Sequence, residues 1–271
     1  MHNFKKPLYS VYPRMYCSGT IYVNDVPVID WYGDETKEGG FGGDTMINQA
    51  LLQSGKYQVV GKMYPRLGKN VLDEDDTMSV DFFCADLDNW KTSRFAFHPK
   101  MESPWDGLTE NVSHPTFTVA GEIEVELPFV LDGWQHSVDF KDMKKEDLLR
   151  DVLKYYRQIR AVLVEHDVGK YLEMSQDKMK LQEQALYYTE DRKKRFLDSA
   201  GQLFGQNLAV EELNEADLQL EIMGYGKLVR LMRKDGSQPL QFKSPDLEKQ
   251  GNIEMEVKLH MRTKEKGFSI I

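Results

Sequence analysis

No apolar run in these 271 residues approaches the roughly 20 that a helix needs to span a bilayer. Cysteine is almost missing. Cys17 and Cys84 are the only two, with neither a CxxC spacing nor a histidine cluster beside them, which excludes a disulfide scaffold and a thiolate zinc site. Both fall in strand-like segments and read as small, free core residues; a bridge would require their strands to be neighbours. HExxH, HxH and GxSxG are absent, as are the Walker and GxGxxG loops. The six histidines, His2, His98, His114, His136, His166 and His260, stand singly. There is no repeat of solenoid period and no low-complexity tract.

Positive charge is scarce in the first half. Residues 1–140 hold 11 Lys and Arg against 21 Asp and Glu, whereas residues 141–271 are nearly balanced, and the whole chain carries −9. A field of that sign disfavours nucleic-acid backbones, which are bound by clustered cations. It favours solubility and basic partners. With 41% apolar and 29% charged residues, the composition is that of a globular protein.

The clearest pattern present is at residues 116–129. Phe117, Val119, Ile123, Val125, Leu127 and Phe129 share one parity, and Thr116, Thr118, Glu122, Glu124 and Glu126 take the other. Side chains alternate across a strand, so this segment lays an apolar face on a core and a row of carboxylates in water. Further strands are expected at 15–23 and 26–31, joined by a two-residue hairpin turn at Asn24-Asp25, with Pro27 marking the second as an edge. Others are expected at 56–64, 78–85, 94–98 and 133–140, the last after a tight turn at Asp132-Gly133. Residues 46–53 read as one or two helical turns ended by Gly55.

From residue 144 the period changes to about 3.6. Leu148, Leu149, Val152, Leu153, Tyr156, Ile159 and Leu163 form one helical face, with Asp142 as the expected N-cap and Glu146 and Asp147 in the first turn. The stretch 170–204 reads as one or two helices, and strands return at 218–223, 227–233, 239–242, 253–262 and 268–271. The fold class is therefore mixed β and α+β: an acidic antiparallel β-sandwich over 10–140, then an α+β unit over 141–271, with helices at about 144–204 and an antiparallel β-meander at about 217–271. In layout alone this second part resembles the cystatin and nuclear-transport-factor-like folds, where a sheet wraps a helix; that likeness implies no function.

Candidate chemistry is thin. Residues 39–45 are glycine-rich, but Asp34, Glu35, Glu38 and Asp44 around them would repel a phosphate, so the loop reads as a contact loop. Trp31, Tyr32, Asp34, Glu35, Phe41 and Asp44 are the candidate partner-binding residues. No cofactor is expected; Asp73, Asp75 and Asp76 are the candidate ligands should calcium bind, although the run lacks the EF-hand order and reads first as a solvated turn. The expected function is a non-catalytic protein that binds another protein, in concrete form an immunity-type inhibitor masking a basic bacterial effector. One alternative is a carbohydrate-binding sandwich stacking sugars on exposed aromatics. Another is an enzyme whose site is assembled from Tyr225, Asp235 and His260 in the C-terminal unit. Neither nucleic acid nor a membrane span is expected. Residues 1–10 lack the apolar stretch of a secretory signal, so the cytoplasm is expected if this N-terminus is native, and the periplasm or exterior if a signal has been removed.

Overall fold

Alternating and helical periodicities separate along the chain, and the computed structural model, which describes residues 4–271, separates with them into several antiparallel sheets and five helices. Two compact units result, Met1–Leu131 and Asp132–Ile271.

The first unit holds β1 (Pro7–Met15), β2 (Ser18–Val23), β3 (Val26–Trp31), β4 (Phe41–Gly42), β5 (Thr45–Met46), β6 (Gly55–Tyr64), β7 (Met78–Asp86), the short helix α1 (Trp90–Ser93), β8 (Phe95–Glu102) and β9 (Phe117–Val125). One sheet runs β4-β1-β7-β8, with β5 also on β1, and the other runs β3-β2-β6-β9. Val11, Phe82 and Val80 from the first sheet and Ile21, Val59, Ile123 and Val125 from the second share one core, so the two sheets face each other as a sandwich. On β9, Val119, Ile123 and Val125 are buried and Glu122 and Glu124 exposed, as the alternation requires.

Asn24 and Asp25 both take positive φ, 56° and 58°, the pair of left-handed residues that a two-residue hairpin turn uses to match the twist of its strands. Pro27 sits on β3, the outer strand of its sheet, and the register slips beside it between Ile21 and Tyr22. Residues 15–23 are not one strand. β1 ends at Met15 and β2 begins at Ser18, because the Tyr16 N–H turns aside to the Thr77 carbonyl at 2.8 Å. Residues 46–53 contain a single 3-10 turn, Asn48–Ala50.

The second unit holds α2 (Lys145–Val164), α3 (Val168–Met174), α4 (Gln176–Ala185), α5 (Glu190–Gly205), β10 (Leu218–Met223), β11 (Leu228–Arg233), β12 (Gln241–Phe242), β13 (Ile253–Glu254), β14 (Leu259–His260) and β15 (Ser269–Ile270). Its main sheet is ordered β10-β11-β14-β15, and β12 pairs with β13. Leu148, Val152, Tyr156, Ile159 and Leu163 of α2 pack into one core with Val229, Leu231, Leu259 and Ile270 of that sheet. Tyr156 locks the layers: its hydroxyl donates to the Val257 carbonyl at 2.8 Å and accepts from the Leu231 N–H at 3.0 Å.

Three expectations are corrected here. The N-cap of α2 is Lys144, with no capping side chain, and Asp142 lies outside the helix; Glu146 and Asp147 do occupy its first turn. Residues 170–204 form parts of three helices, broken at Ser175 and at Tyr187, whose φ is 51°, with Thr189 capping α5 through the Arg192 N–H. Residues 133–140 form no strand. Their backbone is taken by turn and tertiary bonds, Ser137 N–H to Trp134 O at 2.9 Å, Val138 N–H to Met261 O at 2.8 Å and Phe140 N–H to Gly226 O at 2.8 Å, and Phe140 fills the second unit's core.

Candidate binding sites in the two units

The glycine-rich loop crosses from β3 in one sheet to β4 in the other. Trp31 and Phe41, at its two ends, meet with ring centroids 5.4 Å apart and planes at 45°. Tyr32 lies apart from them against Tyr64, at 6.2 Å and 43°, and its hydroxyl reaches Thr20 Oγ1 at 2.8 Å. Neither pair offers the coplanar platform on which a sugar face stacks. Two of the loop acids are committed locally: Asp34 pairs with Lys37 at 2.7 Å, and Asp44 takes both terminal nitrogens of Arg94 at 2.6 and 2.8 Å. Glu35 contributes its carbonyl to Gly39 N–H. The structure thus joins Trp31 with Phe41 and leaves Tyr32, Asp34, Glu35 and Asp44 in separate contacts.

The acidic turn after β6 is organised by cations of the chain. Asp76, 0% exposed, accepts from Arg66 Nε at 2.7 Å and from the Asp73 N–H at 2.8 Å. Asp73 binds Lys69 Nζ and accepts the Asp75 N–H at 3.1 Å. Among the described residues, no group of three or more His, Cys, Asp or Glu side chains stands in a metal-holding arrangement.

A cleft of about 640 Å³ opens at one end of the sandwich. Its floor is set by strand register. Tyr9 of β1, Cys84 of β7 and Phe95 of β8 are cross-strand partners in one row. Phe97 adds an edge-on contact to Tyr9 at 5.0 Å, and Phe4 leans over Phe95 at 5.9 Å. The wall is the end of β9 with the residues just beyond it: Glu124, Glu126, Leu127 and Pro128. Tyr9 ties that wall to the floor: its hydroxyl donates to the Glu126 carbonyl at 3.1 Å and accepts the Glu126 N–H at 3.0 Å. Burial pushes the Tyr9 phenol up to about 12 and the Cys84 thiol up to about 11, so both are protonated at neutral pH and the thiol is no nucleophile. Glu124 and Glu126 are exposed, and neither makes an ion pair among the described residues; Lys56, across the strand, closes on Glu122 at 3.1 Å instead.

The second unit has its own pocket, of about 580 Å³. One wall is a single face of α4: Asp177, Lys180, Leu181 and Gln184 are spaced three and four apart and line it together. The other wall is Arg262, Lys266, Gly267 and Ser269 from the β14–β15 connection, with Asp132 beside them. His260 and Ser269 are partners across β14 and β15, and both converge on Asp177 Oδ2, each at 2.9 Å. Behind them, His260 Nδ1 lies 2.9 Å from Ser137 Oγ. A carboxylate only accepts, so His260 Nε2 carries the proton and Nδ1 receives one from Ser137. Burial holds the His260 pKa below its usual value, against the opposing pull of Asp177. Burial works on Asp177 in the other direction, but its bonds from His260 and Ser269 and the charges of His260 and Arg262 outweigh it and keep the carboxyl below the usual range.

Ser137–His260–Asp177 has the composition of a hydrolase relay, but it faces the wrong way for one. Ser137 is 4% exposed and His260 0%, while the pocket opens on the aspartate end. The arrangement instead fastens α4 to the β14–β15 hairpin. His260, Tyr225 and Asp235 do not assemble into one site: Tyr225 turns the chain before β11 and Asp235 lies past that strand's far end, roughly 20 Å away at about 3.3 Å per residue. Neither Asp177 nor Ser269 carries a local motif. Only the helical spacing of Asp177, Lys180, Leu181 and Gln184 hints at their shared face. Family models, curated proteins and solved structures give no match to this chain.

Proposed function

We propose that this chain is a non-catalytic binding protein whose first unit receives a basic segment of another protein. An apolar side chain of that segment sits on the floor formed by Phe4, Tyr9, Phe95 and Phe97, and its cations meet Glu124 and Glu126. The observation that carries the reading is the cleft itself: about 640 Å³, aromatic at its base, with two exposed carboxylates at its rim that make no ion pair among the described residues. Clefts of this size with an apolar lining and a few placed charges are what binding sites are built from, and the acidity of the first 140 residues would steer a basic partner toward it. An inhibitor masking a cationic effector has this requirement.

The test is fluorescence anisotropy of the full chain against an array of labelled decapeptides that vary the placement of Lys and Arg around one Leu, Phe or Trp. Members combining both features should bind and should weaken about tenfold in the Glu124→Lys/Glu126→Lys variant, with further loss at high salt. Peptides of either charge binding equally, an unaffected variant, or an array silent to millimolar concentration would each overturn the proposal.

A further inference from the structure

We infer that the pocket of the second unit is a site for a small organic anion, a carboxylate or a phosphate monoester, that also carries a hydroxyl or ammonium donor. This uses no residue of the first unit and stands independently of the cleft.

The charges of the pocket divide into those already satisfied and those left open. Arg262 is occupied: its guanidinium donates to the Asp132 carboxylate at 2.6 Å and to the carbonyls of Gly133 and Asp132 at 2.7 and 2.9 Å. It braces the wall and, with Asp132, contributes little net charge. Lys180 and Lys266 line the same pocket from opposite walls, and among the described residues neither ammonium group makes an ion pair or hydrogen bond. Two open cations against one carboxylate, Asp177, give the pocket a net positive charge inside a chain whose total is −9. An anion is the complement, and a pair of ammonium groups suits either a carboxylate or a phosphate.

Asp177 supplies the second half of the recognition. Its Oδ2 is filled by His260 and Ser269, and Oδ1 has no hydrogen bond among the described residues. The carboxyl stays ionised and held in place by two donors from a cross-strand pair, so Oδ1 is a fixed acceptor at the lining. A ligand donor placed a few ångströms from its own anionic group would bridge Asp177 and the lysines. A metal ion is the poorer occupant, because Lys180, Lys266 and Arg262 surround Asp177 with positive charge. The volume of about 580 Å³ fits a small metabolite and excludes a folded partner.

Calorimetric titration of the full chain with malate, succinate, phosphoserine and inorganic phosphate tests this. Malate and succinate differ by one hydroxyl, so their comparison reads the Asp177 acceptor without mutating a residue that holds the unit together. Submillimolar binding of malate or phosphoserine is expected, about tenfold weaker for the partner lacking the donor. Which of the two binds separates the carboxylate source from the phosphate source. Lys180→Gln/Lys266→Gln should lose at least about tenfold in affinity with an unchanged melting temperature, while Glu124→Gln/Glu126→Gln binds as the parent does. Four silent probes at about 10 mM, a double lysine variant that binds like the parent, or equal binding of malate and succinate would overturn the assignment.

Discussion

Lowering the pH below about 6.5 should strip stability from the second unit through His260. Burial holds this imidazole below its ordinary value of 6.5, because the charged form loses its water and the Asp177 hydrogen bond repays only part of the loss. Above pH 6.5 the ring is neutral whether the chain is folded or not. Between 6.5 and the lower folded value, the unfolded chain binds a proton that the folded one does not, so stability falls as pH falls, by up to about 1.4 kcal/mol per pH unit. Asp177 does not confuse this window: its folded pKa lies below 3.8, so its own contribution is lost only in stronger acid. The comparison needed is with His260→Gln, which can still donate to Asp177 but cannot titrate. Samples of the full chain equilibrated in urea at pH 7, 6 and 5 are pulse-labelled with deuterium at one fixed pH, and exchange is read in the peptide covering residues 257–271. The parent should lose more stability than the variant as the pH falls below 6.5, with a slope of at most about 1.4 kcal/mol per unit. The other histidines contribute equally to both proteins and cancel. Parallel pH dependences would show that His260 is not held neutral by burial and would refute the reasoning.

Two further outcomes test the frame around the sites. Tyr156→Phe removes a hydroxyl that satisfies both the Val257 carbonyl and the Leu231 N–H inside the core, and should cost about 1–3 kcal/mol in urea unfolding of the second unit with little change in the first. Gly19→Ala would set its Cβ 2.3 Å from the Lys62 carbonyl oxygen on the neighbouring strand, so the first unit should lose about 1–3 kcal/mol or more in thermal unfolding, whereas the open position Gly43, with nothing within 4 Å, should tolerate the same change.

Much of the fold was legible in the sequence because burial on one face writes itself as a period. The alternation on β9, the Asn24-Asp25 hairpin and the apolar stripe of α2 all came through, since each depends on residues close in the chain. Residues 133–140 did not. Val138 and Phe140 look like strand residues, yet what they bury against, and the carbonyls of Met261 and Gly226 that their N–H groups meet, is decided about 90 to 120 positions away. The caps show the same limit at short range: Asp142 has the right chemistry for an N-cap but the wrong place, two residues before the cap position at Lys144.

The sites were less legible for the same reason. The loop residues at 31–44 are chemically conspicuous, but Asp34 and Asp44 are already paired with Lys37 and Arg94. The cleft floor joins Phe4, Tyr9, Cys84, Phe95 and Phe97, residues with no common spacing, and the second pocket joins a helix to a hairpin more than 80 residues distant. His260 was visible only as a lone histidine. Its partners Asp177, Ser269 and Ser137 come from three other segments, and no local pattern announces them.

The row of glutamates on β9 also governs how the first unit meets copies of itself. β9 ends its sheet, so its outer N–H and carbonyl groups offer a template for another extended chain. An identical strand docking antiparallel on that border would set glutamate against glutamate across the seam, and like charges directly opposite destabilise pairing. The carboxylates thus act as an electrostatic fence against fibre growth.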